Sequence, residues 1–87
     1  MRKDDGERMS LLTQMVLIEH HGLRADLEAL AKILDTTPAN LRRRISEQTL
    51  EIPTYVDGGK RWADVRDVAD YLDARRAEAR ELHRVAA

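Results

Sequence analysis

Apolar residues follow α-helical spacing most clearly after Asp26. They recur at i, i+3, i+4 and i+7, at the positions Leu27, Leu30, Ala31 and Leu34. This spacing predicts an amphipathic helix with one face in the core. The polar residues Asp35-Thr36-Thr37 come next and predict a tight turn.

A second helix is predicted to begin directly after this turn. Thr37 is a good N-cap residue, and Pro38 fits the first helical position, where no backbone N–H is needed. Leu41 and Ile45, four residues apart, then face the core. Two short helices joined by a short turn form a helix-turn-helix.

The segment after the second helix predicts a β-hairpin. Pro53 prevents the helix from continuing, and strand-forming residues surround it at Ile52, Tyr55 and Val56. Asp57-Gly58-Gly59-Lys60 is typical of a hairpin turn because glycine tolerates positive φ. Arg61–Val65 then returns as the second strand.

A last helix is predicted to close the chain. Its apolar stripe lies at Val65, Val68, Ala69 and Leu72. Residues 77–87 are expected to extend it as a solvated helix rich in alanine, arginine and glutamate. The whole order of elements predicts a mostly α-helical fold with a small β-hairpin, and within that class a winged helix-turn-helix.

The N-terminal segment is apolar, and its pattern leaves two structures open. Leu11, Leu12, Met15 and Ile18 fit a helical stripe, with Ser10 as the N-cap and Gly22 at C′. The run Met15–Ile18 is equally compatible with a short buried strand. Residues 1–9 are polar and charged and are predicted to be flexible.

Length and composition restrict the class of protein. The chain has 87 residues, so residues 1–87 are expected to form a single domain with a modest core. The absence of cysteine excludes disulfide staples and thiol catalysis. The longest apolar run is far shorter than the roughly 20 residues of a membrane span, and no signal-peptide pattern is present. We therefore expect a cytoplasmic protein with no membrane partner.

The net charge of −1 does not indicate a nucleic-acid ligand, but the charge is unevenly distributed. Residues 36–62 contain three acidic side chains against five basic ones, namely Arg42, Arg43, Arg44, Lys60 and Arg61. The flanking segments are close to neutral. Because a phosphate backbone is attracted by local clusters of charge, the middle of the chain is the candidate binding region.

The second helix carries the first candidate DNA-binding residues. At about 100° per residue, Arg43 lies opposite the buried face, with Arg42 and Arg44 on its flanks. Asn40 lies near the helix start and can reach a base edge. Arginine pairs with guanine and asparagine with adenine through two hydrogen bonds. The alternative is an ordinary solvated helix face.

The hairpin carries the second cluster. Gly58 and Gly59 leave a tip without side chains, which can approach a sugar–phosphate backbone, and Lys60 and Arg61 lie beside it. The alternative is a solvated turn. Trp62 is expected in the core between hairpin and helix, and Tyr55 and Tyr71 are expected to be packing residues as well.

The remaining polar residues give no sign of an active site. His20 and His21 point about 100° apart on a helix, so they cannot easily share a metal ion. The sequence contains no catalytic triad pattern and no glycine-rich phosphate loop. We expect neither enzymatic activity nor a metal or other cofactor.

Several stretches resemble the AlpA/excisionase-like group of MerR-type winged-helix proteins and the related pyocin-activator family of phage-derived regulators. Thr37–Ile45 (TPANLRRRI) resembles their recognition helix, and Leu50–Pro53 (LEIP) resembles the strand entry. Lys60–Trp62 and Asp67–Arg76 resemble the wing exit and the closing helix. The similarity covers about residues 24–80.

The resemblance implies a small DNA-binding protein of a mobile element. By position, it implies DNA contacts at Pro38, Ala39, Asn40, Arg42, Arg43, Lys60 and Arg61. The sequence departs from the family pattern at Asp35, where such turns often carry glycine. Residues 1–23 have no firm counterpart in short excisionases.

Together, the pattern and the resemblance favour an excisionase, or recombination directionality factor. Such a protein binds and bends double-stranded attachment-site DNA to favour excision by an integrase. Bending costs on the order of 1–6 kcal/mol, so several copies in a head-to-tail array are expected at each site. One alternative is a transcriptional activator or repressor with the same fold. Another is a protein-interaction adaptor in which residues 10–22 dock on a partner.

Overall fold

The computed structural model describes residues 3–86 of the chain, with side chains over residues 11–86. Four helices and three strands follow in the order α1 (Lys3–His21), β1 (Arg24–Asp26), α2 (Leu27–Leu34), α3 (Pro38–Ser46), β2 (Tyr55–Asp57), β3 (Lys60–Asp64) and α4 (Val65–Ala86). The predicted mostly α-helical fold with a small β-hairpin is confirmed. Of the segment expected to be flexible, residues 1 and 2 lie outside the described residues.

Helix α2 is fixed at both ends by short-range hydrogen bonds. The Asp26 side chain caps its start by accepting a hydrogen bond from the backbone N–H of Ala29, at 2.9 Å. Asp35 ends the helix in the left-handed conformation, with φ of 57°, and its N–H donates to the carbonyl oxygens of Ala31 and Lys32. Aspartate can adopt this conformation, so Asp35 takes the place that glycine often has in such turns.

Helix α3 begins where the sequence predicts. The Thr37 hydroxyl accepts a hydrogen bond from the N–H of Asn40, at 3.1 Å, and Pro38 occupies the first turn. Leu41 is fully buried against α2, and Ile45 is half-buried. The N-cap therefore sets where α3 starts, and the Leu41 side chain sets which face points outward.

Helix α1 differs from its prediction at one end. Met15–Ile18 is helical, so the strand alternative is wrong, and Ser10 lies inside the helix, so it is not the N-cap. The other end is as predicted: Gly22 has a φ of 83°, and its N–H donates to the Ile18 carbonyl oxygen at 2.8 Å. The predicted start depended on Ser10 being a good N-cap residue, whereas the backbone is already helical from Lys3.

The three strands form one antiparallel sheet in the order β1-β3-β2. The β2–β3 hairpin was predicted, whereas strand β1 was not. Gly58 and Gly59 form the turn with φ of 61° and 80°, the pair of positive values that a type I′ turn requires. Ile52 was expected in a strand, but it precedes β2 and is buried in the core.

The core lies between α2, β3 and the first turns of α4, with α3 and α1 packed from different sides. Its buried members are Leu17, Leu30, Ala31, Leu41, Ile52, Ala63, Val65, Val68 and Ala69. Helix α1 contacts α4 and β1, whereas α3 contacts α2. The α1–α4 pair is antiparallel. At the start of α4, Val65 N–H donates to the carbonyl oxygen of Leu23, just after the end of α1, whereas Asp73, farther along α4, accepts from the hydroxyl of Thr13, farther back in α1.

The aromatic side chains are less buried than predicted. Trp62 is half-buried outside the core cluster, on the sheet face that also carries Tyr55. The expectation that Trp62 fills the core is therefore wrong, because its place in the β3 register turns it away from buried Ala63. Tyr55 is exposed, and Tyr71 alone packs against the core as expected.

Candidate nucleic-acid interface

The outward face of α3 combines two arginines with two small residues. Ala39, Arg42, Arg43 and Ser46 are all exposed, and Leu41 behind them is fully buried. At 100° per residue, the small side chains of Ala39 and Ser46 lie between the two arginines. This face can therefore approach a flat or grooved surface closely while it presents a positive charge on each side.

Arg43 is held by two neighbours on the same helix. Its guanidinium donates to Asn40 Oδ1 at 2.5 Å and to Glu47 Oε1 at 3.1 Å. Asn40 in turn donates through Nδ2 to the Thr36 hydroxyl at 2.9 Å. This chain of hydrogen bonds orients Asn40 and Arg43 together at the start of the exposed face.

Arg42 is oriented differently. Among the described residues its side chain makes no ion pair and no hydrogen bond, and it points into the space between α3 and the hairpin. An unpaired, exposed guanidinium is available to an anionic ligand without first losing a protein contact. Arg42 is thus the one of the three consecutive arginines whose guanidinium makes no hydrogen bond or ion pair with the described residues.

Arg44 belongs to the loop after α3. It is half-buried, and its guanidinium reaches the Thr49 carbonyl oxygen at 3.4 Å, while Thr49 N–H bonds the Arg44 carbonyl oxygen at 2.8 Å. Arg44 therefore lies apart from the exposed face of α3, although the sequence grouped it with Arg42 and Arg43.

A cleft of about 470 Å³ separates α3 from the hairpin. Arg42 and Ser46 line it from the helix, and Gly59, Lys60 and Arg61 line it from the hairpin. The start of α2 adds two carboxylates to the same cleft, those of Asp26 and Glu28. The structure thus brings Arg42, Lys60 and Arg61 together, although they are far apart in the sequence.

The cations of the hairpin are partly neutralised. Lys60 Nζ lies 3.6 Å from Asp26 Oδ2, and both groups retain solvent exposure. Arg61 donates to the Thr54 hydroxyl at 2.9 Å and has no carboxylate partner among the described residues. The hydrogen bond that Asp26 accepts from the Ala29 N–H holds the pKa of Asp26 below its ordinary value. The charge of Lys60 acts in the same direction to a smaller extent. Asp26 is therefore ionised at neutral pH.

A cluster of side chains that was not predicted connects the hairpin to β1. Its members are Arg24, Asp57 and Trp62. Arg24 pairs with Asp57 at 2.7 Å, and its guanidinium lies 4.0 Å from the centre of the Trp62 ring. Trp62 donates from its indole nitrogen to the Asp57 carbonyl oxygen at 2.9 Å. These contacts link both strands of the hairpin to β1, and so they set the orientation of its tip.

Eight of the ten predicted site residues thus fall into three groups, and the other two lie apart from them. Arg42, Gly59, Lys60 and Arg61 line one cleft, Gly58 lies at the exposed hairpin tip, and Ala39, Asn40 and Arg43 lie on the adjoining face of α3. Pro38 is half-buried in the first turn of α3, and Arg44 contacts the following loop.

Two further residues on this surface, Ser46 and Thr36, were not among those predicted. Ser46 lines the cleft seven residues after Ala39, on the same face of α3. Thr36 holds Asn40, which follows it by four residues. Both spacings are visible in the sequence, because positions four and seven apart share one side of a helix or of its first turn.

The described residues show no sign of a metal site or of a membrane span. Within residues 11–86, whose side chains the structure describes, no three histidine or acidic side chains converge as metal ligands do. No helix of the described residues 3–86 is long and apolar enough to cross a bilayer. Comparison with protein-family models, with curated proteins and with solved structures gives no significant match.

Proposed function

We propose that the chain is a sequence-specific DNA-binding domain of the winged helix-turn-helix class, with α3 as the recognition helix and the β2–β3 hairpin as the wing. The observation that carries this proposal is the shared cleft. Cations of α3 and of the hairpin face one opening, and the exposed face of α3 beside it carries the small residues Ala39 and Ser46. No catalytic arrangement is needed for such a function, and the protein acts in the cytoplasm.

The proposed binding mode assigns a separate role to each group of residues. Helix α3 enters the major groove with Asn40 and Arg43 towards base edges. Asn40 lies in the first turn, from which recognition helices read bases, and it accepts a hydrogen bond from Arg43. Arg42, Lys60 and Arg61 meet the phosphates that flank the groove, and the bare tip at Gly58 and Gly59 follows the sugar–phosphate backbone. The fixed hairpin then sets the spacing between these contacts.

Within this class, we propose an excisionase of a mobile element, which bends attachment-site DNA and favours excision by an integrase. The resemblance of Thr37–Ile45 and Asp67–Arg76 to excisionase-like proteins supports this choice. Smooth bending of 20–30 bp by 40–90° costs on the order of 1–6 kcal/mol. One small domain offers few contacts to offset that cost, so several copies act at each site.

Footprinting on DNA from the attachment region and the promoters of the element tests the proposal. A protected attachment site that is bent in a circular-permutation assay is the result expected for an excisionase. Protection of a promoter alone indicates a transcriptional regulator with the same interface. No protection of either DNA contradicts the proposal and favours the adaptor, whose docking surface would be the exposed apolar side of α1.

An arginine substitution distinguishes DNA binding at the proposed interface from a general attraction of DNA to positive charge. Arg42→Ala is expected to weaken binding, because it removes an unpaired cation from the cleft. Arg80→Ala removes the same charge from the exposed part of α4 and serves as the control. Equal effects of the two substitutions would mean that DNA responds only to net charge.

A further inference from the structure

Over residues 11–21, where its side chains are described, helix α1 is apolar on two sides, and one of them packs against the core. Leu17 is buried against the core. The outward side carries five large apolar residues, Leu11, Leu12, Met15, Val16 and Ile18, which are 55%, 67%, 66%, 52% and 37% exposed. Single exposed apolar residues are common on protein surfaces, but a contiguous group on one helix face marks an interaction site.

The spacing of these residues is that of a helix–helix contact. Leu11, Met15 and Ile18 follow each other at i, i+4 and i+7, which gives a straight apolar seam along the helix. Leu12 and Val16 widen that seam on one side. No residue from Leu11 to Ile18 is charged. The seam therefore cannot form ion pairs with a charged partner.

We propose that this seam pairs with the same seam of a second copy of the chain, with the two α1 helices antiparallel about a two-fold axis. A two-fold contact joins a surface to itself, so each patch must be complementary to its own copy. An uncharged apolar stripe on a single helix meets that requirement. When the two-fold axis passes through the helix pair near Met15, the stripe from Leu11 to Ile18 of one copy lies along the full length of the same stripe in the other copy.

The size of the seam sets the strength of this contact. Stable complexes bury about 800 Å² per partner through 20–30 residues, and five residues are only about a fifth of that number. The pair is therefore a reversible dimer, populated at high protein concentration or when two copies are held close together. The contact leaves the DNA-facing elements uncovered, since α1 packs against α4 and β1 while α3 packs against α2.

The symmetric pair differs from the head-to-tail array expected from the sequence. A head-to-tail contact needs a second surface, and the exposed apolar residues of the α4 end are Leu82 and Val85, at 71% and 75% exposure. These two residues, three positions apart, form a much smaller patch than the seam of α1. The self-contact in solution does not depend on DNA, so it is tested separately from the proposed function.

Cysteine crosslinking tests the symmetry, because the chain contains no cysteine of its own. Met15→Cys is expected to give a disulfide-linked dimer under mild oxidation, since the axis brings the two positions together. Leu82→Cys, at least as exposed, is the control and is expected to remain monomeric. A mixed Met15–Leu82 crosslink when the two variants are combined, or equal crosslinking of both variants alone, would overturn the symmetric arrangement.

Sedimentation equilibrium of the unmodified chain tests the seam without engineered thiols. Leu12→Gln combined with Val16→Gln is expected to raise the dimer Kd by about tenfold or more, because four apolar side chains per dimer become polar. Leu82→Gln combined with Val85→Gln is the matched control and should leave the Kd unchanged. Circular dichroism checks that each variant is folded. A Kd that changes only in the control, or a wild-type chain that stays monomeric at millimolar concentration, contradicts the proposal.

Discussion

Replacing Arg43 with alanine tests the proposed base-reading role of α3. In the free protein, Arg43 is already bonded to Asn40 and to Glu47. Binding a guanine through two hydrogen bonds requires its guanidinium to leave Glu47, which lies one turn towards the C-terminus. The loss of binding free energy in Arg43→Ala is therefore the free energy of the base contact minus the free energy needed to break this ion pair.

The magnitude follows from those two contributions. A bidentate arginine–guanine contact contributes about 1–3 kcal/mol of discrimination, and an exposed i,i+4 ion pair stabilises by about 0.3–0.5 kcal/mol. Arg43→Ala should thus weaken binding to the specific site by about 0.5–2.5 kcal/mol, or roughly two- to seventyfold. Glu47→Gln should act in the opposite direction, by about twofold, because Arg43 is then released and a negative charge leaves the interface.

Fluorescence anisotropy with a footprinted duplex and a scrambled duplex measures both effects. Arg43→Ala should reduce the preference for the specific duplex, whereas Lys60→Ala should weaken binding to the two duplexes alike, as loss of a phosphate contact does. Arg75→Ala is the control, because Arg75 also forms a short-range exposed ion pair, with Glu78. Equal losses on both duplexes for Arg43→Ala would refute its role as a base reader.

Three further predictions concern the stability of the scaffold, measured by urea unfolding. Leu41→Ala should cost about 2–5 kcal/mol, since Leu41 is fully buried beneath α3; a change below about 1 kcal/mol would contradict the described packing. Asp35→Val should cost about 1–2 kcal/mol while Asp35→Gly should not destabilise, because residue 35 has a φ of 57°; equal effects would mean that the turn is not left-handed. The pKa of Asp26 is lower in the folded state, so its stabilising contribution is complete above an unfolded pKa of about 4 and is lost as the pH falls further. Asp26→Asn should therefore flatten the decline of stability between pH 5 and pH 3, and an unchanged decline would exclude Asp26 as its source.

Local signals in the sequence were enough to predict α2, α3 and the hairpin. The caps at Asp26 and Thr37 act within three residues, and the Gly58-Gly59 turn depends only on backbone conformation. The exposed positions of Arg42 and Arg43 likewise follow from helical periodicity once Leu41 is placed in the core. These features needed no knowledge of distant contacts.

Features that depend on distant contacts were missed. Strand β1 has three residues and exists because it pairs with β3, some forty positions later. That pairing also places Arg24 on Trp62 and turns the indole away from the core. The start of α1 was placed too late, because Ser10 is a good N-cap residue and the polar residues before it show no apolar stripe. Arg43 has Asn40 three positions before it and Glu47 four positions after it, and both spacings are visible in the sequence. Its guanidinium donates a hydrogen bond to each of them, so its charge is partly compensated in the free protein.

The dependence of DNA affinity on salt tests the central claim that α3 and the hairpin form one phosphate-binding surface. Arg42, Lys60 and Arg61 are the cations that this account assigns to phosphates, and Arg43 lies beside them. About three to five phosphate contacts per protomer give a slope of about −3 to −4.5 in log K against log salt. The slope should fall by about one for Arg42→Ala and stay unchanged for Arg80→Ala. A slope near zero for the wild-type chain would contradict the account, because the basic cleft would then not be a DNA surface.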